Sequence, residues 1–486
     1  MNALSVGRPM DDRMFHSNHA NTTEALNTST SDERDRDSYS SSLCEITDCE
    51  SRDGTNLYHT TTILRVCRQQ VLKPYWKLLF VIGWRPFGRD RINYHCGWKA
   101  LNIVYPILLV ALMFYVYVYR ILSCQGKYDV PFVIQPTKMS PNFGLPADPA
   151  PTPTTPSGYV PIEPAIDSYH ACTHLISSYI LPDVLHFVAF LLGFWYFRIQ
   201  DNEQMDALIQ QAFLHATPTT HGSNTQSTMI RAMKWILIGG ALWVLAMMGV
   251  LALFLTAFGL QNTIYKFFTV QAWNIVLLCV HAFGCLIYNS IIAAVVVNYS
   301  VQCETIICFV RSIQEQLLEK TGDLRMIMHD ILKVWQATQQ LNGPMAKMMS
   351  LLVFNFAAMV VAGISLLLFH QPRGDEISAL VTTYRVCFFL LWLAILVFPY
   401  VQAARLSSIY NKFEQAALEM RVFGYLTSTP RDLDSFLQFV TQAKCKVRLL
   451  FIPANTSNVY GILLLTAFLL IILVQTGVIV APSTYL

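Results

Sequence analysis

Charged residues are scarce in this chain of 486 residues. Asp, Glu, Lys and Arg make up 13% of it and hydrophobic residues 53%, whereas a soluble globular domain carries roughly a quarter charged residues. The 34 basic and 31 acidic residues nearly balance, so the chain offers no basic field to a nucleic acid. The 12 cysteines are spread over its whole length and do not form a small secreted disulfide framework. This composition excludes a nucleic-acid-binding protein and a typical soluble enzyme, and it indicates a multi-pass membrane protein.

The sequence also lacks the motifs of common catalytic sites. It has no Gly-x-Ser-x-Gly elbow, no Walker loop and no His-Glu-x-x-His. Ionisable residues inside apolar segments, the usual markers of transport or catalysis, are few: Asp183 and His186 at the edge of one segment, and His281 within another. No carboxylate or second histidine shares the segment of His281, so we interpret it as a packed side chain rather than a metal ligand. We therefore expect no enzymatic activity, no cofactor and no metal.

Seven apolar segments are at least about 20 residues long, the length that crosses the hydrocarbon core of a bilayer. Residues 1–69 precede them as a tail rich in Ser, Thr and Asp, which we predict to be disordered because it has no apolar run that builds a core. The predicted fold class is all-α, with seven transmembrane helices. The predicted spans are residues 99–122, 175–198, 234–258, 270–298, 348–369, 383–404 and 459–481.

Lys and Arg accumulate on one side of these spans. The loop after the first span carries only Lys127 and Lys138. Because short cytoplasmic loops carry the excess of Lys and Arg, we predict a plasma-membrane protein with a cytoplasmic amino terminus and an external carboxyl terminus, the reverse of a G-protein-coupled receptor. The basic residues before the first span are Arg65, Arg68, Lys73, Lys77, Arg85, Arg89 and Arg91.

The first outer loop, residues 123–174, is rich in proline around Asp148–Pro156, a composition typical of a semi-extended spacer. Cys124 and Cys172 stand at its two ends. Both would lie in the oxidising compartment, where disulfides persist. A Cys124–Cys172 disulfide and two unpaired cysteines both remain open on this argument.

The long inner segments show apolar residues at helical spacing with charged residues on the opposite face. We predict that Val301–Met345, Leu406–Phe423 and Leu433–Leu450 are helical projections of the fourth, sixth and seventh spans, packed together in the cytoplasm. Helices lying on the membrane surface are the alternative, but the polar faces are mixed in charge and favour a packed bundle. The predicted regions are thus 70–300 (spans one to four), 301–347 (helical extension), 348–404 (spans five and six), 405–458 (anchor helices) and 459–486 (last span).

Aromatic side chains are frequent in spans two to six. Those that face inward line a candidate small-molecule pocket, since such pockets are mostly apolar with a few polar groups. Packing in the membrane core and interfacial belts are the alternative for each residue. The candidate ligand-binding residues are Phe194, Trp195, Trp243, Trp273, Tyr288, Phe354 and Trp392.

The last span stands apart because no charged residue occurs from Leu449 to Leu486. Gln475 interrupts its apolar run, and inside a membrane this side chain must bond to another helix or face water. A pore with hydrophobic constrictions and ordinary helix packing both fit the residues alone. On a helix, the side chains that share the stripe of Gln475 are Phe468, Ile471, Ile472 and Ile479.

Several motifs occur together with this topology. Leu72–Phe87 has the form apolar-x-Pro followed by Gly-x-x-Pro, and Phe436–Gln442 begins a run into the last span. In the last span, Leu470–Val474 and Gln475 match a motif of five apolar residues and Gln, although Phe468-Leu469 stands where Thr-Tyr is expected and Thr476 where Phe is expected. With these features the chain resembles the insect odorant and gustatory receptor superfamily, in particular its distant gustatory receptor-like members.

This resemblance implies a homotetrameric, ligand-gated, non-selective cation channel in the bilayer. Four copies of the last helix would surround one pore with Gln475 as its glutamine, and a small molecule would bind between spans two and six. The expected partners are copies of this chain, lipid, the ligand and permeant cations. Lys444, Lys446 and Arg448 near the inner end of the pore argue against a simple cation pore. A non-channel seven-span receptor or structural partner remains the alternative.

Overall fold

Nearly all of the described chain is α-helical. The computed structural model describes residues 64–87, 96–125, 180–200, 204–215, 222–258, 271–320, 323–368, 377–423, 429–443, 445, 447–449, 452–453 and 460–461. Short π-helical turns at Arg68–Leu72, Trp195–Ile199 and Leu341–Met345 adjoin four of the α-helices. The α-helices are α1 (Lys73–Val81), α2 (Cys96–Gln125), α3 (Leu181–Phe194), α4 (Gln204–His215), α5 (Gly222–Phe258), α6 (Gln271–Leu318), α7 (Leu324–Gln340), α8 (Ala346–Leu368), α9 (Ile377–Phe423) and α10 (Pro430–Gln442).

Within the described ranges, six helical stretches are long and apolar enough to cross a membrane. They correspond to the first six predicted spans, so the all-α, multi-span fold class is confirmed. The second stretch begins at Leu181, with Pro182 in its first turn, where a missing backbone N–H leaves no helical bond unmade. The predicted last span lies outside the described residues apart from 460–461. The six stretches are Trp98–Ile121, Leu181–Ile199, Gln226–Ala257, Ala272–Leu318, Leu324–Leu367 and Ala379–Arg421.

Two of these helices, α6 and α9, run far beyond the length that a bilayer requires. These helices thus run past residues 298 and 404, where the predicted fourth and sixth spans end. The predicted helix Val301–Met345 is not continuous, because α6 ends at Leu318 and α7 restarts at Leu324. Asp323 caps this restart by accepting a hydrogen bond from the backbone N–H of Arg325 at 3.2 Å.

The prediction of a helix over Leu433–Leu450 is wrong beyond Gln442, where α10 ends. Arg448–Leu449 forms strand β1, which pairs antiparallel with strand β2 at Ile452–Pro453. The reason is visible in the sequence, since buried Cys445, Val447 and Leu449 alternate with basic residues, and a period of two is that of a strand. Helix α10 therefore does not extend to Leu450.

The central element is α6, which packs against α2, α4, α5, α7, α8 and α9. Every side chain from Ile287 to Val310 is buried. We call the ends of α6 and α9 beyond residues 299 and 405, together with α7 and α10, the extension bundle. A helix that is buried on all its faces is enclosed by other elements, so this stretch of α6 forms the core around which the neighbouring helices pack.

The segment after α1 is fixed by a glycine and a tryptophan. Gly83 adopts a left-handed backbone with φ of 76° and turns the chain. The buried ring of Trp84 fills the space next to Gly193, where an added Cβ would lie 2.2 Å from the indole. Arg198 donates a hydrogen bond to the Gly83 carbonyl at 2.8 Å. The motif predicted at Leu72–Phe87 is thus docked against the second span.

Candidate functional site

Four aromatic side chains meet between α5, α8 and α9, and we call them the aromatic cluster. Trp243 of α5 and Trp392 of α9 pack edge to face with ring centroids 5.5 Å apart. The rings of Phe356 and Phe388 lie 5.9 Å and 6.2 Å from that of Trp392. Such geometries are the favoured ones for aromatic pairs, so the cluster forms a compact apolar site inside the membrane domain.

The two tryptophans of this cluster carry unsatisfied donors. Trp243 and Trp392 are 7% and 1% exposed, and neither indole Nε1–H has a hydrogen-bond partner among the described residues. A buried donor without an acceptor costs about 1–3 kcal/mol, and buried polar groups are normally paired. Each of these donors could bond to an acceptor oxygen of a small molecule.

A second group, the polar cluster, joins α2, α3, α6 and α8. Arg120 near the end of α2 forms an ion pair with Asp183 in the first turn of α3, with Nη1 and Oδ1 3.1 Å apart. The guanidinium carbon of Arg120 also lies 4.5 Å from the ring centroid of Tyr288, within the range of a cation–π contact. The second carboxylate oxygen of Asp183, Oδ2, is buried and has no hydrogen-bond partner among the described residues.

His186 occupies the centre of the polar cluster. Its ring stacks on Tyr288 with centroids 3.7 Å apart. The hydroxyl of Tyr117 is 2.8 Å from Nδ1, and the backbone carbonyl of Tyr288 is 3.2 Å from Nε2. A neutral imidazole with its proton on Nε2 donates to the carbonyl and accepts from the tyrosine, so both ring nitrogens are satisfied. Asn355 completes the cluster by donating to the Tyr288 hydroxyl at 3.2 Å.

His281, the other intramembrane histidine, packs against Tyr119 with ring centroids 4.4 Å apart. Its Nε2 is 3.4 Å from the Cys285 sulfur. In the described part of the chain, no group of three or more His, Cys, Asp or Glu side chains is placed to hold a metal ion. The contacts of His281 are those of a packed side chain.

The structure brings together only two of the seven predicted ligand-binding residues, Trp243 and Trp392. Tyr288 belongs to the polar cluster, and Phe194 is partly buried beneath the guanidinium of Arg198. The other three, Trp195, Trp273 and Phe354, lie on the surface of the described helices with 54%, 59% and 54% exposure. The predicted pore residues Gln475, Phe468, Ile471, Ile472 and Ile479, the residue Cys172 and the side chain of Cys124 lie outside the described residues.

Sequence reasoning missed Arg120, Tyr117 and Asn355. The sequence did contain a signal for Arg120. Arg120 lies near the end of the first span and Asp183 near the start of the second, so both are on the same side of the membrane, and their charges are opposite. Tyr117 and Asn355 become visible only when the helices are assembled, since each bonds to a different helix.

The described fold has relatives among solved structures. The olfactory receptor OR5 from Machilis hrabei superposes with a TM-score of 0.58 and 14% identity, covering 83% of this chain and 97% of that chain. The same receptor in complex with eugenol gives a TM-score of 0.56 and 13% identity, covering 85% and 99%. This chain has the fold of the insect olfactory receptors. The predicted resemblance to that superfamily is therefore confirmed at the level of the fold.

No family model matches the sequence, and no curated protein does. The likeness to the insect olfactory receptors is thus carried by the arrangement of helices. In this receptor fold the aromatic cluster involves the third, fifth and sixth spans, and the polar cluster involves the first, second, fourth and fifth.

Proposed function

We propose that this protein is a member of the insect odorant and gustatory receptor superfamily, of the gustatory receptor-like kind, and works as a ligand-gated, non-selective cation channel in the plasma membrane. The observation that carries the proposal is the extent of the shared fold, which covers 85% of this chain and 99% of the receptor chain. The sequence of the last span adds to it, because a neutral helix interrupted by Gln475 suits a narrow pore with hydrophobic constrictions.

In this proposal the channel is a homotetramer. The last helix of each copy contributes Gln475, and the amino terminus is cytoplasmic, as the distribution of Lys and Arg predicts. The extension bundle then lies inside the cell and supplies the contacts between copies. The other pore-lining residues are Phe468, Ile471, Ile472 and Ile479.

The ligand site that we propose is the aromatic cluster. Its ligand is a small, mostly apolar molecule with an acceptor oxygen that receives hydrogen bonds from Trp243 and Trp392, whose donors are unsatisfied. Eugenol, with which the Machilis hrabei receptor forms its complex, is mostly apolar and carries oxygen acceptors. It is therefore a suitable first probe.

Recording from the purified protein in lipid bilayers tests the channel. We expect cation currents in the wild type, altered conductance or open probability in Gln475→Ala, and four-fold symmetry in single-particle images. If an antibody reaches an amino-terminal epitope tag from outside intact cells, the cytoplasmic location of the amino terminus is contradicted. Absence of any conductance from well-folded tetramers would support the non-channel seven-span protein instead.

Two conservative substitutions test the ligand site. Trp392→Phe and Trp243→Phe each keep an aromatic ring and remove one N–H donor. Loss of one hydrogen bond, about 1 kcal/mol, should raise the eugenol concentration for half-maximal current about fivefold. Trp273→Phe, an exposed tryptophan in α6, is the matched control. Equal responses of all three variants would place the ligand elsewhere.

A further inference from the structure

The hairpin of β1 and β2 immediately precedes the last span. Its strands pair in the register Arg448 with Pro453 and Leu449 with Ile452, and the apolar run of the last span begins a few residues later. A two-stranded hairpin alone is marginally stable in water. Contacts with the helices therefore stabilise this hairpin.

The first contact lies at the base of the fifth span. The backbone N–H of Arg448 donates to Asn342 Oδ1 at 3.1 Å. Asn342 belongs to the turn Leu341–Met345 that joins α7 to α8, where Gly343 has non-helical angles (φ −80°, ψ −124°) and Pro344 has no N–H. The helix is broken at this point, and the side chain of Asn342 fastens the hairpin to the break.

The second contact comes from α9. The hydroxyl of Tyr410 lies against the carbonyl oxygens of Val440, at 3.2 Å, and of Ala443. These carbonyls are at the end of α10, where the last helical acceptors have no partner within the helix. Tyr410 therefore fixes the point at which the chain leaves α10 and turns toward β1.

Alternate side chains of this segment are buried. Cys445, Val447 and Leu449 are at most 3% exposed. Burial raises the pKa of the Cys445 thiol to about 11, although hydrogen bonds with Tyr410 and Thr338 oppose the rise. Thr338 lies on α7, so the segment is packed between α7 and α9.

The helices that hold the hairpin are the ones that line the aromatic cluster. Tyr410 follows Trp392 by 18 residues of helix α9, which contains Pro399 between them; at 1.5 Å per residue this is about 27 Å. Phe356 lies on α8, which begins directly after the turn that contains Asn342. Helices α8 and α9 therefore connect the aromatic cluster to the contacts of the hairpin.

We propose that the hairpin, with Asn342 and Tyr410, is a joint that positions the last span and couples it to the fifth and sixth spans. The gating part of this inference rests on the proposed channel function. The positioning part is independent of it, because it concerns the contacts of the segment that leads into the last span.

Substitutions at Asn342 test the joint in the full-length protein. Asn342→Leu keeps the approximate size and removes the acceptor, whereas Asn342→Asp keeps an acceptor oxygen. For Asn342→Leu we expect an unliganded open probability and a half-maximal eugenol concentration that each change about fivefold, the effect of one hydrogen bond. The unitary conductance should stay unchanged, and Asn342→Asp should resemble the wild type.

Tyr410→Phe provides a second variant, because it removes only the hydroxyl, and Asn411→Leu on the exposed face of α9 is the control. Hydrogen exchange supplies a readout that needs no current. In Asn342→Leu and Tyr410→Phe, amide protection should fall both at residues 447–453 and in the last span, 459–481. If the wild type conducts and these variants gate normally, the coupling is refuted; if protection falls in the hairpin alone or nowhere, the positioning is refuted. A wild type without current refutes the proposed function and leaves the exchange experiment to decide the positioning.

Discussion

The two parts of α6 are equally apolar and have different surroundings. In the part that ends at Phe283, side chains such as Trp273, Val276 and Phe283 are at least half exposed, whereas from Ile287 to Val310 every side chain is buried. The first part has one face free for lipid or another subunit, and the second is enclosed by neighbouring helices. Apolar composition therefore identifies a helix that is shielded from water, but it does not show whether the helix contacts lipid or other parts of the protein.

Small residues on the neighbouring helix and hydrogen bonds between polar side chains allow the second part of α6 to be buried. Gly240 of α5 lies against Val297, and an added Cβ would stand 2.5 Å from the Val297 side chain. Gln302 donates to the Asn298 oxygen at 3.2 Å, and Asn298 donates to the Met345 sulfur at 3.3 Å. Close approach of the backbones and hydrogen bonds between side chains accommodate these polar residues inside the packed helices.

The largest difference is expected from truncating the same residue type in the two parts of α6. Ile291→Ala removes a fully buried side chain and should lower the free energy of unfolding by about 3 kcal/mol, since the site cannot collapse. Ile275→Ala removes a side chain that is 42% exposed and should cost less than about 1 kcal/mol. Thermal unfolding in the same detergent compares them. Similar losses would show that both parts are packed alike.

A smaller difference is expected for ion pairs. Arg405 lies 3.2 Å from Glu304 in the enclosed part of α6, and the side chain of Glu304 is 5% exposed. Arg405→Ala leaves this carboxylate unpaired, and because Arg405 itself is partly exposed we expect a loss of about 2 kcal/mol, below the range for a wholly buried pair.

The matched ion pair joins Arg421 to Asp434 at 3.7 Å, with both side chains well exposed. Arg421→Ala should change the free energy of unfolding by less than about 0.5 kcal/mol. The two variants are compared by their unfolding midpoints. A larger loss of stability in Arg421→Ala than in Arg405→Ala would contradict the view that burial of the carboxylate makes an ion pair more important for stability.

The smallest effect is expected from adding one methyl group at neighbouring glycines of α5. Gly240→Ala places a methyl against Val297 and should destabilise by about 1 kcal/mol. At Gly239 no atom of another residue lies within 4 Å of an added Cβ, so Gly239→Ala should be neutral or stabilise by up to about 1 kcal/mol through helix propensity. The unfolding temperatures of the two variants are compared, and that of Gly240→Ala should be the lower one.

The sequence predicts those parts of the fold that local patterns determine. Hydropathy locates six spans, and helical spacing finds the extensions of α6 and α9, because both depend on neighbouring residues alone. The strand around Val447 was overlooked, although its alternation is equally local. In the candidate site, Trp243 and Trp392 were predicted together with five residues that lie elsewhere, because an apolar span shows no polar face to tell inward from outward. Arg120 and Asn355 acquire their roles from other helices, so no local pattern reveals them.

The packing of Trp84 against Gly193 also offers a way to control folding with a small molecule. Replacing Trp84 by glycine would leave a dry cavity with the outline of an indole, of the kind that binds small aromatic molecules. Added indole should enter it and restore the seating of the amino-terminal segment against the second span. The protein would then fold under the control of a compound supplied from outside, and its assembly would be tunable by dose.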